Sequence, residues 1–155
     1  MGVTNQNKRV LIIDDDEYFN VISRPIQNYG HTVELKLNLA DALNALRNPD
    51  MKFDVVLLDL FMNGNDLPKQ IKNIYRNNTG MSAGWAFYEY VLLEEYPLLA
   101  ERTMIISGDK EGYEEWCLEN RFELWSLLTR DKRVLSKNAP DIISKILKFI
   151  HPIHS

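Results

Sequence analysis

The chain has 155 residues, 45% hydrophobic and 26% charged, the proportions of one ordinary globular domain. Eighteen basic against twenty-two acidic side chains leave a net charge of −4, which argues against non-specific nucleic-acid binding, since that needs a basic footprint. The lone cysteine, Cys117, offers no internal disulfide, no run approaches the roughly eighteen apolar residues of a membrane-spanning helix, and the polar start Met1 to Asn7 lacks a signal-peptide core. These features predict one domain over 1–155, cytoplasmic, with its core from about 8 to 150.

In chain order, Val10-Leu11-Ile12-Ile13 reads as a buried strand that stops at Asp14-Asp15-Asp16. Phe19, Ile22, Ile26 and Tyr29 then share one face of a helix that contains Pro25 and ends at Gly30. Val33, Leu35 and Leu37 alternate in a second strand, and Asn38 caps a helix bearing Leu39, Leu43 and Leu46. Asp54-Val55-Val56-Leu57-Leu58 is a third strand, ending at Asp59. After it, Gly64 to Ser82 is polar, carries Lys69, Lys72 and Arg76 against a lone Asp66, and can form a short amphipathic helix behind Pro68 with Ile71, Ile74 and Tyr75 inward.

Trp85 to Glu95 forms the next helix and stops before Pro97. Thr103-Met104-Ile105-Ile106 is a fourth strand ending at Ser107-Gly108. Glu111 to Thr129 holds one broken helix or two short ones, with Tyr113, Trp116, Phe122 and Trp125 as packing residues. Arg133 to Ser136 is a fifth strand before Lys137, and Asp141 to His151 an amphipathic last helix carrying Ile142, Ile143, Ile146, Leu147 and Ile150. Only Pro152 to Ser155 follow, which predicts no output domain. Strand and helix alternating five times reads as a doubly wound α/β domain.

In open α/β sheets ligands bind at the carboxyl ends of strands. The polar residues there are Asp14, Asp15, Asp59, Ser107 and Lys137. Three converging carboxylates repel one another, and a hard divalent cation with oxygen ligands, Mg²⁺ foremost, answers that repulsion. A lysine and a hydroxyl facing the same point suit an anion such as phosphate, and an aspartate can itself accept a phosphoryl group. Each signal alone has a plainer reading: a capping run, a turn aspartate, a Ser-Gly turn, a solvated lysine. Their conjunction on four successive strand ends carries the argument.

The sequence resembles the receiver domain of two-component response regulators, the CheY-like family. The carriers are Val10 to Asp16, Asp54 to Met62, Ile105-Ile106-Ser107-Gly108 and Leu135-Ser136-Lys137. The resemblance implies a flavodoxin-like, five-stranded parallel sheet in the order 2-1-3-4-5. It implies Asp59 as phosphoacceptor from a histidine kinase or histidine phosphotransfer protein. Mg²⁺ would be held by Asp14, Asp15, the Asp59 side chain and the Phe61 backbone carbonyl. Ser107 and Lys137 would contact phosphoryl oxygens, and output would go to a separate downstream protein rather than to catalysis.

Four features depart from the family pattern. Gly84 lies 25 residues beyond Asp59, so Gly64–Ser82 is an insertion between strand 3 and helix 3, expected to overhang the site or dock an acidic partner. Lys137 is followed by Asn138 in place of a cis proline, and the cis form of an ordinary peptide costs roughly 3 kcal/mol. Val134 stands where relatives carry a switching Tyr or Phe, and the segment from Ser107 to Lys137 is long. Phe61 and Asp109 flank the site, so that Phe61 would shield an acyl phosphate from water while Asp109 could orient one.

Two rival readings follow from the same residues. One is a receiver-fold binding module that works without phosphate. The other is a haloacid-dehalogenase-type phosphatase with Asp14 as nucleophile and Asp16 as acid, which leaves Asp59 unexplained.

Overall fold

The computed structural model describes residues 7–16 and 18–151. The start at Met1, the tail Pro152 to Ser155 and the Phe19 side chain lie outside what is described. Five parallel strands, β1 (Arg9–Ile13), β2 (Thr32–Lys36), β3 (Val55–Asp59), β4 (Thr103–Ser107) and β5 (Val134–Ser136), form one sheet in the order β2-β1-β3-β4-β5. This is the flavodoxin-like arrangement the sequence implies.

The three central strands are apolar on both faces because both faces are covered. Leu11, Ile13, Val56, Leu58 and Ile105 face one core, shared with α2 (Leu39–Arg47), α4 (Ala83–Phe87), α7 (Lys110–Asn120) and α8 (Phe122–Arg130). Val10, Ile12, Val55, Leu57, Met104 and Ile106 face the other, closed by α1 (Tyr18–Asn28) and α9 (Ile142–Ile150) through Ile22, Ile26, Ile142, Ile146 and Ile150. The strict alternation of partners along each strand is the two-residue period of β structure.

Local chemistry explains the element ends. The Asn38 side chain accepts from the Asp41 N–H at 2.8 Å and caps α2. Ser82 does the same for α4 through the Trp85 N–H, and α4 continues through a π-helical turn (Tyr88–Leu92) into α5 (Leu93–Glu95) and then α6 (Pro97–Ala100). The segment 111–129 resolves into two helices, α7 and α8, meeting at Arg121.

Four sequence expectations need correction. Phe122, expected to pack, is 62% exposed at the start of α8. Tyr29 lies one residue past α1 and is 58% exposed, so it does not share the buried face of Ile22 and Ile26. Leu37 falls after β2 and is also exposed. Arg133 precedes β5, where it is buried and donates to the Ala100 carbonyl at 2.8 Å.

The inserted segment has its own structure. A 3₁₀ turn (Gly64–Asp66) leads through buried Leu67 into α3 (Lys69–Asn77), whose Ile71 and Tyr75 pack on the first core beside α4. Gly80, at φ +87°, turns the chain back against the Trp116 indole, and the Thr79 carbonyl accepts from Trp116 Nε1 at 2.8 Å.

Candidate functional site

The strand register brings four chain positions to one edge. Ile13 pairs with Leu58, Asp59 with Ile106, and Ser107 with Ser136, so Asp14, Asp59, Ser107 and Lys137 stand side by side at the carboxyl ends. Asp14, Asp59 and Ser107 are buried, while Asp15 is exposed. One carboxylate oxygen from each of Asp14, Asp15 and Asp59 lies within 4.8 Å of the others.

Lys137 reaches into this cluster. Its Nζ is 2.9 Å from Asp14 Oδ2, 3.3 Å from Asp59 Oδ2 and 3.9 Å from Asp16 Oδ2. Backbone groups hold the other oxygens: Asp14 Oδ1 accepts from the Asp16 N–H at 2.8 Å, and Asp59 Oδ1 from the Phe61 N–H at 3.2 Å. Asp16, weighed in the sequence only as part of the rival phosphatase, is thus a neighbour of the lysine. A residue two positions along a tight turn is hard to place from sequence alone.

The electrostatics follow from burial. Desolvation, then the Asp59 charge, pushes the Asp14 carboxyl up to about 6. Desolvation likewise raises Asp59, against the Phe61 N–H and Lys137. Burial alone would pull the Lys137 ammonium down, yet its contacts with Asp14 and Asp59 hold it above the ordinary lysine value. One ammonium facing three carboxylates leaves an excess of negative charge. A hard divalent cation with oxygen ligands fits such a donor set.

Ser107 Oγ accepts from the Asp109 N–H at 3.1 Å, which leaves its hydroxyl proton available to a ligand oxygen. Asp109 itself caps α7, accepting from the Gly112 N–H at 3.1 Å. That bond engages the carboxylate expected to orient water. Phe61 is 46% exposed, and its ring meets the edge of Tyr113 at 5.8 Å. The Lys137–Asn138 bond is trans, because no cis peptide occurs among the described residues. Val134 is buried in the first core and offers no aromatic rotamer there.

Gly84 has a larger part than opening a helix. Its N–H donates to the Leu60 carbonyl at 2.9 Å, and a Cβ there would overlap the backbone oxygen of Asp59. The spacing of small residues before Trp85 was the available signal. Behind this contact lies an aromatic cluster: Tyr113 stacks on Trp116 at 5.3 Å, and Trp85 touches Tyr88, Tyr113, Trp116 and Trp125 at 5.7–6.3 Å.

No protein-family model and no curated protein matches the sequence. Solved structures do match. A receiver domain of HemR from Leptospira biflexa, non-phosphorylated, is 18% identical, with 96% of this chain and 98% of that chain covered and a TM-score of 0.59. A CheY-like response regulator receiver domain from Methanospirillum hungatei JF-1 is 17% identical over 92% and 93% of the two chains, with a TM-score of 0.56. A response regulator from Burkholderia pseudomallei, described with a phosphorylated aspartic acid, a calcium ion and citrate, is 18% identical over 94% and 68%, with a TM-score of 0.55. The chain has the fold of CheY-like receiver domains along nearly its whole length. Among the described residues, no helix is long and apolar enough to cross a membrane.

Proposed function

We propose that the chain is a response regulator receiver that takes a phosphoryl group on Asp59 and signals by changing its affinity for a separate protein. One observation carries this reading: Asp14, Asp15, Asp59 and Lys137 converge at the strand ends of a receiver fold. The Burkholderia neighbour, with its phosphorylated aspartate and calcium ion, supports it.

In the proposed reaction an Asp59 carboxylate oxygen attacks the phosphorus of a phosphohistidine on a histidine kinase or phosphotransfer protein. The P–O bond forms as the P–N bond breaks, and the leaving imidazole takes up a proton. Asp14, Asp15, Asp59 and the Phe61 carbonyl would hold Mg²⁺, which when bound supplies charge neutralisation for the phosphoryl oxygens. Lys137 moves from the carboxylates to a phosphoryl oxygen, and the Ser107 hydroxyl donates to another. Ser107 turning toward the phosphate pulls on Asp109, whose N–H it accepts and whose carboxylate caps α7, and this biases the helix between two positions. The fold and its partners fit a cytoplasmic signalling protein rather than an enzyme with a turnover substrate.

The rival phosphatase is poorly supported. It leaves Asp59 without a role, although Asp59 shares Lys137 with Asp14 and joins Asp14 and Asp15 in the carboxylate cluster. Intact mass after incubation with acetyl phosphate and Mg²⁺ tests the proposal. A gain of one phosphate, lost with EDTA and absent in Asp59→Asn, is the expected result. No gain in the wild type, with Mg²⁺ binding verified by calorimetry, would overturn phosphoacceptance from small donors and leave either a donor restricted by the Gly64–Ser82 insertion or the phosphate-independent module.

A further inference from the structure

The insertion helix α3 has a polar side of one sign. Lys69, Lys72 and Arg76 recur at i, i+3 and i+7, so they line one stripe opposite the inward Ile71 and Tyr75. From Leu67 to Tyr88 the sequence contains no Asp or Glu, although the whole chain is net acidic. Helix α7 carries the complement. Glu111, Glu115 and Glu119 recur every four residues and are all exposed, bordered by Leu118, itself 44% exposed. Phe122, 62% exposed, follows at the start of α8.

The two helices are joined at the turn after α3. The turn after α3 is tied to α7 by the Thr79–Trp116 hydrogen bond and by the seat of Gly80 on the Trp116 ring. Yet among the described residues none of these three cations and none of these three glutamates takes part in an ion pair. Two further glutamates near this flank are engaged inside the molecule: Glu89 pairs with Arg121, and Glu114 accepts from Trp125 Nε1. At 1.5 Å per residue the cationic stripe is about 11 Å long and the acidic one about 12 Å. Two stripes of matched length and opposite sign on helices of one flank suit a two-fold symmetric contact, each stripe meeting its opposite on the second copy.

We infer that the flank formed by α3 and α7 is a self-association surface, and that its occupant is a second copy of this chain. The pairing is cationic α3 against acidic α7, made twice about the two-fold axis, with Leu118 and Phe122 supplying apolar contact beside the charges. A nucleic acid is the poorer occupant, because three cations next to three glutamates make no extended basic footprint. Exposed ion pairs are individually weak and screened by salt, so the dimer is a weak, salt-sensitive one. The inference does not depend on phosphorylation of Asp59, so either can fail without the other.

Sedimentation velocity on the full chain across a wide concentration range, at low and high salt, tests it. The wild type is expected to dimerise with concentration at low salt and to lose about tenfold or more in affinity at high salt. Lys69→Glu/Lys72→Glu/Arg76→Glu and Glu111→Lys/Glu115→Lys/Glu119→Lys should each be monomeric, because each makes both stripes the same sign. Mixed one to one, the two variants should regain the dimer, since every stripe then meets its opposite. Circular dichroism melts establish that both variants fold, and the salt response of the wild type stands without them. A wild type monomeric throughout, a dimer indifferent to salt or to both reversals, or no recovery in the mixture would overturn the inference. So would a monomer that binds polyglutamate or an oligonucleotide in its place.

Discussion

The carboxyl edge of the sheet and the flank of α3, α4, α7 and α8 are built on opposite terms. At the edge, buried Asp14 and Asp59 stand against each other with one lysine between them, and both carboxyls are held above their ordinary values. On the flank, Trp85, Trp125 and Tyr88 are buried almost completely and lean on one another. The edge buries like charges whose desolvation opposes folding, a cost that a bound cation would offset. The flank supplies the burial that makes this tolerable. Function and stability are therefore separable, and mutations should separate them.

The largest effect should come from the flank. Trp85→Ala removes a side chain that is 0% exposed and central to four ring contacts. A loss of about 4 kcal/mol is expected in urea unfolding. Gly84→Ala should come next, at about 2–3 kcal/mol, because its Cβ meets the backbone of Asp59 and Leu60 and not a side chain that can swing aside. If Trp85→Ala costs under about 1 kcal/mol, the flank is not the stabilising half of the molecule.

At the edge the sign should reverse. Asp14 is raised from 3.8 to about 6 in the fold, so its protonated form is the favoured one. Its contribution to stability is fully present below about pH 4 and is lost as pH rises through about 6. The metal-free protein should thus gain up to about 2 kcal/mol from this group between pH 6.5 and 4, opposing the usual acid loss. Asp14→Asn should be more stable than wild type at pH 7.5 without Mg²⁺, by about 1–2 kcal/mol, and should no longer gain from added Mg²⁺. Melts at pH 4.5 and 7.5, with and without Mg²⁺, check this. A less stable Asp14→Asn would mean that the Lys137 pair outweighs the desolvation it faces.

What could be read from the sequence divides along the same line. The edge was legible because its residues stand at the ends of short strands: Asp14 after Ile13, Asp59 after Leu58, Ser107 after Ile106, and Lys137 after Ser136, which follows the apolar pair Val134-Leu135. A parallel sheet brings successive strand ends together, so order along the chain becomes proximity in space. The flank was not legible to that degree. On the opposite face of the sheet, too, Tyr29 has the helical spacing of a core residue and lies outside, since α1 stops at Asn28. Whether 111–129 was one helix or two rested on Arg121, whose side chain spans to Glu89 and Tyr90 far back in the chain. The cationic residues of the insertion were visible, whereas its tie to α7 is made by a long-range contact between Thr79 and Trp116. Contacts fixed by long-range packing leave little local trace.

The smallest expected effect lies where the two regions touch. Phe61 belongs to the edge by sequence, two residues beyond Asp59, but its ring rests on Tyr113, which belongs to the flank. Phe61→Asn should cost only about 0.5–1 kcal/mol, the value of one exposed edge-to-face contact. Its consequence for the proposed acyl phosphate should be easier to read. Removing the ring opens the approach to Asp59 and adds an amide that can hold water, so phosphate loss should quicken by about tenfold. Phe61→Leu keeps apolar bulk without the aromatic edge and should leave the rate near that of wild type. Followed by intact mass after the donor is removed, the pair separates shielding from ring contact. Equal rates for Phe61→Asn and wild type would place control of the phosphate's lifetime elsewhere.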